Sequence, residues 1–120
     1  MNKRTTMALV KGIRTQLLSK CSHVYYLEST EDKKYPMIIF EVRPSYETRM
    51  TLELDLWSMR GSEKTLFDLA DTIEELVDGM VLSEPEYIAS FYTNNDMKSV
   101  PDENKDFRHL NMSFNIIYQS

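Results

Sequence analysis

Cys21 and His23 stand two residues apart, a spacing that would put both on one face of a strand as a nucleophile beside its base. Nothing nearby orients the histidine, so the pair reads as incidental. His109, the other histidine, has neither cysteine nor a paired histidine around it, and a zinc site is not expected. Pro101-Asp102-Glu103-Asn104-Lys105 holds the acids and lysine that a Mg²⁺-dependent nuclease uses. That chemistry needs its groups to converge from the ends of paired strands, whereas one short polar run splays them into solvent. Glu53 and Asp55 share one strand face and could hold a cation; an exposed sheet face accounts for them equally well, and no third ligand is apparent. The glycines, Gly12, Gly61 and Gly79, are scattered and build no phosphate loop. The expectation is a protein with no catalytic residue, no metal and no cofactor, acting through its surfaces.

A chain of 120 residues fits one domain, residues 1–120, and its 42% apolar content is ordinary for a globular protein. The net charge of −5 argues against a generic nucleic-acid binder. Tyr87, Phe91 and Tyr92 lie in a run without basic residues, unlike the stacking face of an RNA-binding sheet. The charge is unevenly placed. Lys3, Arg4, Lys11, Arg14 and Lys20 occupy the first twenty residues without an acid, while Asp68, Asp71, Glu74, Glu75, Asp78 and Glu84 follow Glu63 against a lone Lys64. Such polarity suits head-to-tail contacts between identical subunits; two solvated helix faces of opposite sign explain it equally. Cys21, alone, excludes an internal disulfide. The apolar run Met7–Val10 is cut short by Lys11 and Arg14, and no segment approaches a membrane span. The expected place of folding is the cytoplasm, with no membrane partner.

The elements that must position these residues follow from periodicity. Residues 5–19 predict a helix through Leu9, Val10, Ile13, Leu17 and Leu18. Val24-Tyr25-Tyr26 predicts a brief strand, and residues 36–42 a longer one. Pro44-Ser45-Tyr46-Glu47 supplies a turn into Met50, Leu52, Leu54 and Leu56, which alternate with Thr51, Glu53, Asp55 and Trp57. Gly61-Ser62 predicts a break and a helix cap, followed by Leu66, Leu69, Ala70, Ile73, Leu76, Val77 and Met80 at helical spacing. Residues 87–93 predict a strand, residues 94–106 a long polar loop, and Leu110 to Tyr118 a closing strand. The helix stripes predict core. Trp57, with Ile117 and Ile39, falls on the polar side of the sheet, either as a satellite contact beneath the first helix or as part of an interface. The expected fold is α+β: an antiparallel sheet of about four to five strands with two helices packed on one face.

The succession Ala8-Leu9-Val10-Lys11-Gly12-Ile13, Tyr35-Pro36-Met37-Ile38-Ile39-Phe40 and Leu52-Glu53-Leu54-Asp55-Leu56-Trp57-Ser58 resembles the tail-terminator and tail-completion proteins of long-tailed bacteriophages. So do the helix Ala70-Asp71-Thr72-Ile73-Glu74-Glu75-Leu76 and the final Phe114-Asn115-Ile116. The likeness runs in order along nearly the whole chain; residues 87–106 depart from it. No single motif is diagnostic, and the Leu-x-Leu-x-Leu-Trp strand leading to a Gly-Ser-capped helix is the most telling part.

The resemblance implies a ring of copies, typically a hexamer, that caps the tail tube in the neck of the virion after assembly in the host cytoplasm. Its partners would be itself, the major tail tube protein and the head-completion or connector protein, with DNA only passing through. Under that reading Glu53, Asp55, Asn111 and Asn115 could face the lumen, where carboxylates and amides let DNA slide; an ordinary solvated sheet face is the alternative. Arg43, Tyr46, Glu47 and Arg49 in the hairpin turn, and Asn94, Asn95, Asp96 and Lys98 in the long loop, are the expected partner contacts, with mere connections as the alternative. A head-completion (stopper) protein and a small protein-binding adaptor module are the competing functions.

Overall fold

The computed structural model describes residues 6–28, 33–46 and 48–119, with the backbone alone at 45 and 46. The element order is α1 (Thr6–Leu18), β1 (Val24–Tyr26), β2 (Met37–Tyr46), β3 (Arg49–Met59), α2 (Glu63–Val77), β4 (Val81–Ser83), β5 (Ile88–Val100) and β6 (Phe107–Gln119). The strands form one sheet in the order β1-β2-β3-β6-β5-β4.

Alternation along β3 decides the architecture. Met50, Leu52, Leu54, Leu56 and Ser58 are buried while their neighbours are half-exposed, so the strand turns one apolar face inward. Phe114 and Met112 of β6 pair with Leu52 and Leu54, and Leu52 and Leu54 pair in turn with Val42 and Phe40 of β2. Leu9, Ile13 and Leu17 of α1 and Leu66, Ala70 and Ile73 of α2 join these side chains in one buried cluster. Each fully buried side chain of this kind stabilises the fold by about 1.5–3 kcal/mol. Both helices therefore cover the same face, as the periodicity predicts. Among the described residues no helix is long and apolar enough to cross a membrane.

The sheet curls around α1. Arg14 Nε donates to the Val24 carbonyl of β1 at 3.0 Å. On the other side of the helix, a Cβ built on Gly12 would lie 2.6 Å from Tyr87 Oη and 3.2 Å from Leu82 Cδ1 of β4. The two edges of the sheet thus converge on one helix, and the absence of a side chain at position 12 admits the tyrosine.

Four features differ from expectation. The sheet has six strands and is mixed, because β1 pairs with β2 in parallel while every other pairing is antiparallel. β4, the unforeseen strand, has three residues and is too short to carry a period. Ser62 is the N-cap residue of α2, as expected, but its side chain makes no capping bond; Glu63 Oε1 accepts the Gly61 N–H at 3.0 Å in the turn before the helix. Residues 94–100 are not loop. They extend β5 to thirteen residues alongside an equally long β6. At about 3.3 Å per residue such strands reach roughly 43 Å, which accounts for the 48 Å long axis beside widths of 30 and 24 Å. Asn94 to Ser99 are exposed, so they lack the apolar alternation that marks a strand with a buried face.

Candidate functional site

The face of the sheet opposite the helices carries the candidate residues, and the register orders them in rows. Ile39, Asp55, Asn111 and Lys98 stand side by side across β2, β3, β6 and β5. The next row is Glu41, Glu53, Ser113 and Asp96, and the third is Arg43, Thr51, Asn115 and Tyr92. Two groups that the sequence separates, the lumen candidates and the polar run after Thr93, therefore share one surface.

Hydrogen bonds fix this surface. Asn111 Nδ2 donates to Asp55 Oδ1 at 2.9 Å and to Glu53 Oε1 at 3.1 Å. His109 Nε2 lies 2.7 Å from the same Asp55 oxygen. Since an ionised carboxylate only accepts, the Nε2 nitrogen carries the proton. Glu41 and Glu53 lie opposite each other, a like-charge pairing that costs stability by itself. Arg43 resolves it, with Nη2 at 2.6 Å from Glu53 and Nε at 3.7 Å from Glu41. Burial pushes the Asp55 carboxyl up, but the bonds from His109 and Asn111 and the histidine's charge outweigh it, holding the group below its ordinary value. Asn111 is buried despite its polarity, and its amide is satisfied.

β5 supplies the far side. Asn94 Nδ2 donates to Ser113 Oγ at 2.9 Å, and Asn94 also bonds Asn115. Asn115 is thus tied to β5, apart from the Glu53–Asp55–Asn111 cluster. A bulge between Thr93 and Asp96 lets Asn94 turn onto this face, and Asn95 takes a positive φ of 54° there. Asn94, Asn95, Asp96 and Lys98 are strand residues, a correction to their expected place in a loop. The hairpin turn is also tighter than expected. Arg43, Pro44 and Tyr46 belong to β2 and Arg49 to β3; Glu47 lies outside the described residues. Pro44 is tolerated because its nitrogen faces away from β3, on the side where, among the described residues, β1 pairs with β2 only from Ile38 to Phe40.

Trp57 does not sit beneath α1. It lies on the opposite face, stacked on His109 with ring centroids 4.1 Å apart and paired with the buried Met37. His109 and Trp57 complete the cluster around Asp55, and sequence reasoning did not assemble them. The alternation of β3 and β6 was readable, yet their mutual register was not.

The weaker chemical candidates separate. Cys21 Sγ is buried against the carbonyls of His23 and Pro36, both at 3.6 Å, and burial raises its thiol above the ordinary value, opposite to what a nucleophile needs. Asp102 Oδ1 accepts the Asn104 N–H at 2.9 Å, a local turn at the tip of the β5–β6 arm. Among the described residues, no three His, Cys, Asp or Glu side chains converge as a metal site. What the sheet face offers is carboxylates (Glu41, Glu53, Asp55, Asp96) in excess over Arg43 and Lys98, with amides between them, a surface of modest net negative charge and hydrogen-bonding groups.

No family model and no curated protein matches the sequence. A solved structure designated only by a sequence identifier superposes with a TM-score of 0.70 at 10% identity, covering 96% of this chain and 93% of that chain. At that identity the likeness shows a shared fold over nearly the full length of both chains.

Proposed function

We propose that this chain is a neck subunit of a tailed bacteriophage, a tail terminator that caps the finished tail tube as a ring and joins tail to head. The observation that carries the reading is the sheet face that, among the described residues, no helix covers. Glu53, Asp55 and Asn111 are braced by one another and by Arg43 and His109, so the surface is set before any partner arrives. A rigid face of carboxylates and amides suits the wall of a passage for DNA, because it repels phosphate without gripping it. The charge distribution supports assembly from copies: α1 presents Lys11 on its exposed side, and α2 presents Asp68, Asp71 and Glu75. Opposite charges on different elements favour a head-to-tail contact, the geometry that closes rings. The family resemblance supplies the hexameric ring, the tube protein and the connector protein as partners.

The test is to silence the gene during phage growth and view the particles by electron microscopy. Overlong tails, or finished tails detached from filled heads, are the expected result. Normal infectious particles would exclude a role in the neck.

A further inference from the structure

The two ends of the sheet differ from the middle of β5 in how their edges are protected. β1 is three residues long and its Val24 carbonyl is occupied by Arg14. β4 covers β5 only from Ile88 to Ser90. Phe91 exchanges backbone bonds with Gly79 and Met80, and the Thr93 N–H reaches Asp78 Oδ1 at 3.0 Å. Beyond the bulge, β5 continues to Val100 with β6 on one side and no strand among the described residues on the other.

The ladder shows which groups line that open edge. Phe91 points its backbone groups away from β6, so its partner Ile116 belongs to a non-hydrogen-bonded pair, and so do Phe114, Met112 and Leu110 by alternation. Their partners past the bulge are Met97 and Ser99, whose N–H and C=O groups therefore face outward. Met97 is also exposed, at 43%, on the side where α2 carries the exposed Phe67.

We propose that this edge pairs, antiparallel and centred on Met97, with the same edge of a second copy of the chain. The sequence Asn95-Asp96-Met97-Lys98-Ser99 is self-complementary in that register. Met97 meets Met97 across the two-fold axis and exchanges both backbone bonds with it. Asp96 faces Lys98 of the second copy and Lys98 faces its Asp96, an opposite-charge pair on each side of the axis. Ser99 stands opposite Asn95, whose N–H is held by Thr93 Oγ1, so the paired stretch ends at the bulge. The two exposed methionines cover each other on the helix side. Any other register would set Asp96 or Lys98 against an uncharged residue or against its own kind. The contact joins two sheets into one and is isologous, unlike the head-to-tail contacts of a ring. A ladder this short falls below the ~1,200 Å² of a stable interface, so the pairing is weak and concentration-dependent. It stands independently of the neck reading, because it is measured on the isolated chain.

Sedimentation equilibrium of the full chain over a wide concentration range tests it. Self-association to a dimer is expected. Met97→Pro should give a monomer of unchanged far-UV circular dichroism, because the lost N–H faces away from β6. Asp96→Lys and Lys98→Asp should each weaken the dimer about tenfold or more, and the two together should restore it. A monomer at every concentration would overturn the second-copy assignment and leave the edge to a foreign strand. So would a dimer that Met97→Pro or the charge exchange leaves unchanged.

Discussion

His109 reaches Asp55 diagonally: its ladder partner is Trp57, while Asp55 is paired with Asn111, yet the imidazole Nε2 lies 2.7 Å from the Asp55 carboxylate. The slant lets one ring stack on Trp57 and bond the acid of the next row. The folded-state pKa of Asp55 is lowered from an ordinary 3.8, so its contribution to stability is present above that value and lost as pH falls through the lower folded one. Asp55→Asn should cost about 1 kcal/mol near neutral pH. The gap between native and variant should close under acid conditions, below about pH 4. Urea midpoints measured across that range check it; a gap independent of pH would mean the carboxylate is not held as described.

Gly12 of α1 lies against the Tyr87 hydroxyl at the far edge of the sheet. A methyl at position 12 would meet Tyr87 Oη at 2.6 Å. Overpacking of this sort costs about 1–3 kcal/mol, against about 1 kcal/mol gained by replacing glycine inside a helix. Gly12→Ala should therefore lower the thermal midpoint. In a Tyr87→Phe background the obstructing oxygen is gone, and its 3.5 Å bond to the Ala8 carbonyl is a weak one to lose. There the same Gly12→Ala change should cost markedly less, Leu82 Cδ1 at 3.2 Å being the close contact that remains. An equal effect in both backgrounds would show that the two residues do not touch.

The parts of this fold that were legible are those in which one face is buried. Leu52, Leu54 and Leu56 alternate because helices cover them, and Ile13, Leu17, Leu69 and Ile73 keep helical spacing because they pack on that same sheet. Asn94 to Val100 hid because neither face of that stretch is buried, which leaves propensity alone to signal a strand. β1 was visible from its aromatic residues, but its direction was not, since pairing sense depends on the path of the connection. The site was half legible. Glu53 and Asp55 announced a common face, whereas the meeting of Asp55, His109, Asn111 and Trp57 needs the β3–β6 register.

Leu54 separates the two faces energetically. It is fully buried between Phe40 and Met112, one residue from the half-exposed carboxylates of Glu53 and Asp55. Leu54→Asp places an unpaired charge in an apolar interior, a cost of several kcal/mol that a domain this size does not withstand. Loss of the cooperative thermal transition is expected; a folded variant would contradict the placement of β3.

The lumen reading requires that the exposed face act on DNA through charge and not through shape. Glu41 and Asn115 are suitable probes, since each lies on that face near solvent and neither bonds Asp55. Replacing both with lysine turns a repelling wall into an attracting one without touching the His109–Asp55–Asn111 bonds. Tails should still assemble, because the core and the helix surfaces are unchanged. DNA release should slow, and the isolated variant should gain DNA binding that weakens steeply as salt is raised, the mark of phosphate contacts. Gel shifts at two ionic strengths and the timing of DNA ejection measure the two effects. Salt-dependent binding with unaltered ejection would mean that the face is accessible in solution but turned away from the channel. Loss of tail joining with no effect on DNA would place it instead at a contact between subunits.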